Sequence, residues 1–376
     1  MPTQSFSADP HALGRLVARI GDDEWSARLD DLRQRAADGP RAGQALRQRH
    51  AVELTIERLR HPGATPQSLA ERLVVAIGAE LARLLKTLNP AGRVRLEARL
   101  RDSLTGDSTL IPLFHLVRTA MRHRARGFDV RFPGLEDGAP FDLLLSRDGV
   151  QAEVACDVFS AEEGRGVHRG AWFRLADRVD PDLQTWLAAH PGRYLLKMTL
   201  PRGLRGNLTG PQPHDVDPLA VLHERIRVLL QSRTRQDHDE AIVLRLDPLL
   251  LAGAQAAELG LMSSLRRQFG PEAHLAVTTA ADSVFVMAAR AGQEDEIAGA
   301  IRRRLGAVAP ARLSGTRPGI LAMFIEDTDR VEWRGLRERL ELEGEARRFL
   351  TDPEARPVVA LSFVSRLELF GARQPE

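Results

Sequence analysis

The sequence predicts an α/β protein, with an N-terminal helical bundle followed by a mixed β-sheet flanked by helices. Three observations carry this expectation. Over residues 1–105 the apolar positions recur only at helical spacing. From residue 109 onward, β-type runs alternate with helical segments, the pattern of an open mixed sheet. Two β-type runs also close around Asp148-Gly149, a strong signal for a tight hairpin.

In the N-terminal part, Leu13, Leu16, Val17 and Ile20 form one apolar stripe, and Leu69, Leu73, Ile77, Leu81, Leu84 and Leu85 form another. Asn89-Pro90 ends the second helix, because the residue before proline is pushed out of the helical region. Gly39-Pro40 and His61-Pro62-Gly63 are breaks of the same kind.

The next helix runs from about residue 109 to 126, with Asp107 or Ser108 as its cap and Gly127 closing it. A short β run over 128–132 precedes the hairpin, 141–145 and 150–159. Beyond a glycine-rich loop the spacing predicts a helix over 171–189 broken at Pro181, a strand over 193–200 and a helix over 218–230. A strand at 241–246, helix at 249–269 and a second hairpin at 274–279 and 283–289 follow. Last come a helix at 294–305, a strand at 320–326, a helix at 330–350 and a strand at 358–364.

The chain of 376 residues is long enough for two or three domains at ~100–200 residues each. We divide it into a helical bundle (1–105), a sheet-bearing core (106–205) and a C-terminal α/β elaboration (206–376). Apolar residues at 43% and charged residues at 28% exclude collagenous and fully disordered chains. Lys and Arg total 53 against 51 Asp and Glu, so the net charge is only +2. Lys86 and Lys197 are the two lysines, leaving 51 arginines. Together with the Ala, Leu, Gly and Val richness, this composition fits a GC-rich bacterial gene. Arginine does not deprotonate, so it makes a poor general base and a good anion clamp.

Cys156 is the one cysteine, which excludes an internal disulfide and a cysteine zinc cluster and fits a reducing, cytoplasmic setting. The N-terminus has no basic segment followed by an apolar run, and no stretch approaches ~18 apolar residues, so we expect neither a signal peptide nor a membrane partner.

The chemistry-bearing window is 109–157. An amphipathic helix leads into GFDVRF, then PFDLLL, a tight turn and VQAEVACDV. This order resembles the core of the PD-(D/E)XK nuclease superfamily, where a hairpin carries an Asp and then a Glu-x-Lys. The resemblance implies a restriction-endonuclease-like fold, nucleic acid as substrate, and Mg²⁺ or Mn²⁺ as cofactor to polarise the phosphoryl oxygens. Asp142 matches the motif aspartate and Glu153 the glutamate, while the lysine position holds Ala155. A methyl group neither donates to a water nor counters a phosphate charge. The helix before GFDVRF also lacks the acidic residue that many family members place there.

Strand alternation puts Gln151, Glu153, Ala155 and Asp157 on one face. Asp142, Glu153 and Asp157 are therefore the candidate metal ligands, three oxygen donors suited to a hard cation. Lys197, mid-strand in YLLKM, is the candidate replacement for the missing lysine, giving Asp142, Glu153 and Lys197 as catalytic candidates. Arg122 and Arg126 at the end of one helix, with Arg165 and Arg169 in the glycine-rich loop, are the candidate contacts to a DNA or RNA backbone. Aromatics make up only 5%, which argues against base stacking. The expected function is that of a divergent nuclease-like protein, active or inactivated, working on phosphodiesters. The alternative is a non-catalytic binding or assembly protein on the same fold, with the N-terminal helices holding a protein partner or a second copy of the chain.

Overall fold

The computed structural model describes residues 11–370 apart from 62, 206–216, 233–234, 250–263, 267 and 270–272. It is a mixed α/β protein with two mixed five-stranded sheets flanked by helices. The helix expected over 249–269 lies largely outside the described residues. Among the described residues no helix is long and apolar enough to cross a membrane.

Six helices open the chain: α1 (Ala12–Ile20), α2 (Asp22–Arg35), α3 (Pro40–Arg49), α4 (Ala51–Leu59), α5 (Leu69–Thr87) and α6 (Pro90–Asp102). The start of α5 carries a capping box between Ser68 and Glu71. Asn89 caps α6 through the amide of Gly92, with Pro90 at its first position. Then come α7 (Ile111–Arg124), β1 (Asp129–Arg131), the single turn α8 (Pro133–Glu136), β2 (Leu143–Arg147) and β3 (Val150–Ser160).

The middle of the chain holds α9 (Arg169–Ala189), β4 (Arg193–Leu200), α10 (Pro218–Gln231), β5 (Gln236–His238), β6 (Val243–Pro248), β7 (His274–Ala280) and β8 (Ser283–Ala291). The remainder is α11 (Ile297–Arg312), β9 (Gly319–Glu326), α12 (Arg330–Glu338), α13 (Glu341–Phe349), β10 (Val358–Ser365) and the short α14 (Arg366–Phe370).

The chain divides into two compact units. The first takes segments 1–34, 47–161 and 298–376. Its sheet has the order β1-β2-β3-β9-β10, with β1, β2 and β3 antiparallel and β3, β9 and β10 parallel. The hairpin turn forms as the sequence predicts: Asp148 (φ 51°) and Gly149 (φ 81°) both take left-handed backbone, the geometry that matches strand twist in a two-residue turn. Leu143, Leu145, Val154, Ala322, Phe324 and Val364 pack with Phe114, Val117 and Leu81 in a single core. That core fixes one face of the sheet against α7 and the N-terminal helices.

The second unit takes 35–46 and 162–297, with sheet order β5-β6-β4-β8-β7. The strand carrying Lys197 belongs to this sheet, whereas the strands at 319–326 and 358–365 join the hairpin sheet. Trp172, Leu175, Val179, Leu183 and Leu187 line the buried stripe of α9 and pack with Leu196, Met198, Phe285 and Met287.

Several local expectations are corrected by tertiary contacts. Pro181 sits inside α9 without ending it, because the apolar stripe continues on both sides. The helix expected over 330–350 is two helices, divided where Leu340 adopts φ 57°. The helix expected over 294–305 runs instead from Ile297 to Arg312, which moves Arg302–Arg304 from a helix end to a helix interior. The cap of α7 is neither Asp107 nor Ser108. The amide of Leu110 donates to a Glu53 carboxylate oxygen (3.2 Å) and that of Ile111 to the Thr109 hydroxyl (3.3 Å), so a residue 57 positions away supplies the acceptor.

The same device explains Gly39-Pro40. The carboxylate of Asp177 accepts from the backbone amides of Arg41 (3.0 Å) and Ala42 (2.8 Å) and pairs with the Arg41 guanidinium (3.2 Å). A side chain at position 39 would collide with Asp177, so glycine is required there. Asp177→Ala should destabilise the second unit by about 2 kcal/mol, read as a lowered melting transition, since it removes the helix cap together with one of the partners of Arg41. An unchanged transition would mean that solvent satisfies the same amides.

Candidate functional site

The hairpin acids are placed by the ladder. Asp142 lies one residue before the Leu143–Val154 pair, where β2 ends but β3 continues. The amide of Cys156 therefore has no strand partner on that side, and the Asp142 carboxylate takes it at 2.8 Å. The same carboxylate accepts from Arg312 at 2.7 Å and lies 3.5 Å from Arg99. Asp157 is gripped side-on by two nitrogens of the Arg304 guanidinium, Nε at 2.7 Å and Nη2 at 3.0 Å. Glu153 is fully buried and accepts from the Ser314 amide (2.8 Å), the Ser314 hydroxyl (2.5 Å) and Arg317 (3.2 Å).

The three acids thus share one strand region, yet each has its own partner. Glu153 and Asp157 are four strand residues apart, roughly 13 Å at ~3.3 Å per residue. The crossover helix α11 and the loop after it supply these partners, pairing 304 with 157, 312 with 142, and 314 and 317 with 153. Among the described residues, no group of three or more His, Cys, Asp and Glu is arranged to hold a metal ion.

Asp142 and Asp157 both line a cavity of about 660 Å³. Its walls also carry Arg49, Arg99, Arg312, His115 and Glu326, with Pro112, Leu113 and Val158 as apolar surface. Glu153 is not part of the lining. His115 reaches from α7 to the Ala322 carbonyl (2.8 Å), and burial pushes its pKa down to about 4, so the ring is neutral near pH 7 with its proton on Nε2. Its buried Nδ1 has no hydrogen-bond partner. Glu326 is pushed up to about 7 by burial, against the pull of Arg49 and with the nearby charge of Asp327 adding to the rise. The Cys156 thiol is pushed well up by burial and by Asp142, and so remains protonated.

Lys197 lies in the second unit and pairs with Asp247 at 3.1 Å across the β4–β6 ladder, so the first unit's sheet holds no lysine beside the acids. Arg165 is buried and paired with Glu162 at 2.6 Å, and the backbone amide of Arg169 donates to the same Glu162. Both belong to the second unit, while Arg122 and Arg126 belong to the first and are exposed at the end of α7. Sequence reasoning missed Arg304, Arg312, Ser314 and Arg317. The triplet Arg302-Arg303-Arg304 is a sequence signal, but it reads equally well as a solvated helix end. It also missed Glu326 and His115, whose roles arise from burial. No protein-family model, curated protein or solved structure matches the chain.

Two outcomes follow. Glu153→Ala should lower stability by about 3 kcal/mol in denaturant unfolding, because Arg317 and the Ser314 amide lose a buried acceptor. His115 is depressed in the folded state, so its contribution is present above its unfolded pKa of 6.5 and is lost as pH falls towards 4. The stability gap between wild type and His115→Phe should therefore shrink by about 3 kcal/mol from pH 7 to pH 4. A gap constant with pH would show that the imidazole is not held neutral.

Proposed function

We propose that this chain is a nuclease-like protein that grips a nucleic-acid backbone without cutting it. The observation that carries the reading is the occupancy of the hairpin acids by guanidinium groups. A metal-dependent phosphodiesterase needs carboxylate oxygens open to the cavity, so that a divalent cation can polarise the phosphoryl group and activate water. Here Arg312 and Arg99 face Asp142, and Arg304 engages both oxygens of Asp157. A guanidinium supplies positive charge but neither an exchangeable water nor a titrating base near neutral pH. Ala155, in the motif's lysine position, points the same way.

The phosphate contacts come from the last turns of α7 and the turn that follows it. Arg118, Arg122 and Arg126 are spaced four apart and have no ion-pair partner among the described residues. Neutralising about three phosphates gives a log–log salt slope of about −3 and little sequence preference. Binding of a mixed-sequence DNA duplex and of single-stranded RNA should weaken with that slope in fluorescence anisotropy. Arg122→Gln with Arg126→Gln should flatten it by about 2. The purified protein should leave labelled DNA and RNA intact in Mg²⁺ and in Mn²⁺. Metal-dependent cleavage that disappears in Asp142→Ala would falsify the non-cutting reading, and salt-independent binding would remove the backbone-contact reading.

A further inference from the structure

A second cavity in the first unit, of about 360 Å³, is walled by Arg15, Arg19, Lys86 and Arg93 over a floor of Ala82 and Leu85. The four cations come from three helices: α1 supplies two at i and i+4, α5 one from its last turn, and α6 one. The fold therefore gathers like charges from distant parts of the sequence into one concave surface. Glu97 meets Arg19 at 2.5 Å. Lys86 and Arg93 have no acidic partner among the described residues, and the Nε of Arg93 is buried without a hydrogen-bond acceptor.

The helices themselves explain only part of this. Lys86 sits at the C-terminus of α5, where the dipole favours a cation. Arg93 lies near the N-terminus of α6, where the dipole opposes one, and that first turn has no acidic residue to offset it. An anion in the cavity would satisfy the buried Arg93 Nε and offset the like charges of Arg93 and Lys86.

We propose that this cavity binds an oxyanion of two or more negative charges, of the phosphate or diphosphate class. At least two cations there lack acidic partners, so a monoanion leaves the site under-neutralised. The volume is at the lower end for a ligand cavity, where pockets run to about 300–1,000 Å³, so it accommodates the phosphate portion with any organic remainder outside. The site is separate from the Asp142 cavity and independent of the proposed backbone contacts on α7.

The test is calorimetric titration of the full chain with inorganic pyrophosphate, inorganic phosphate, ADP and acetate at low ionic strength. Pyrophosphate should bind saturably at one site, at least tenfold more tightly than acetate. ADP matching pyrophosphate identifies a nucleotide tail as an acceptable source, whereas ADP binding at least tenfold more weakly identifies the free ion; either supports the site. Lys86→Gln should weaken pyrophosphate binding about tenfold, Lys86→Arg should retain it, and Lys86→Gln with Arg93→Gln should abolish it without moving the melting transition by more than a few degrees. Lys197→Gln, in the other unit, should change nothing. Absence of saturable pyrophosphate binding, or equal binding by the Lys86→Gln, Arg93→Gln variant, overturns the proposal. So does a result in which that variant loses nucleic-acid binding while the wild type ignores pyrophosphate, since the cations would then belong to the nucleic-acid surface.

Discussion

A carboxylate buried against a sheet must find a counter-charge, and that requirement organises the first unit. An unpaired buried carboxylate costs several kcal/mol, and three of them stand on or beside one strand. All three are answered from a single stretch of chain, Arg304 to Arg317. The helix that crosses between parallel strands β3 and β9 thus also serves as the counter-ion of the hairpin. Because its two ion pairs reach acids on both strands of the hairpin region, Asp157 on β3 and Asp142 beside β2, they tie α11 to the sheet at two points. The loop from Ser314 to Arg317, tied down by Glu153, then delivers Gly319 to the start of β9 in register with Glu153.

The same arrangement determines the character of the large cavity. Its acids face guanidinium groups, its histidine is neutral, and its cysteine is held as the thiol. Glu326, pushed up to about 7, changes its charge near neutral pH. Its folded pKa is raised, so its stabilising contribution is full at low pH and is lost as pH rises through about 7, opposite in sign to the contribution of His115. A cavity of this kind is polar and charged on its walls while holding few groups ready to move protons. Arg49, Arg99 and Arg312 share these walls with the carboxyl groups of Asp102, Asp107, Asp142, Asp157 and Glu326, so the arginines there balance buried acids.

Much of the architecture was legible because it depends on local signals. The helical stripes of α1 and α5, the Asp148-Gly149 turn and the alternation of strands and helices after residue 109 each follow from residues close in sequence. The departures share a cause. Glu53 capping α7, Asp177 capping α3 and Leu340 splitting a helix are decided by groups or backbone strain that neighbouring residues do not reveal. Lys197 illustrates the same limit. Its mid-strand position is evident from YLLKM, but strand order is not, and the ladder assigns it to the second sheet with Asp247 as its partner.

What the sequence determined alone is the alternation of helices and strands after residue 109, the hairpin, and the shared face of Glu153 and Asp157, since a strand's side chains alternate with a period of two and a tight turn fixes register. It also determined that positive charge would be supplied almost wholly by arginine. What only the tertiary structure decided is the partner of each charge. Asp157 meets a residue 147 positions away and Asp142 one 170 positions away. Pairings across such distances depend on strand order and on how a crossover helix lies over the sheet. Periodicity, capping and turn chemistry act over only a few residues and carry no information about either.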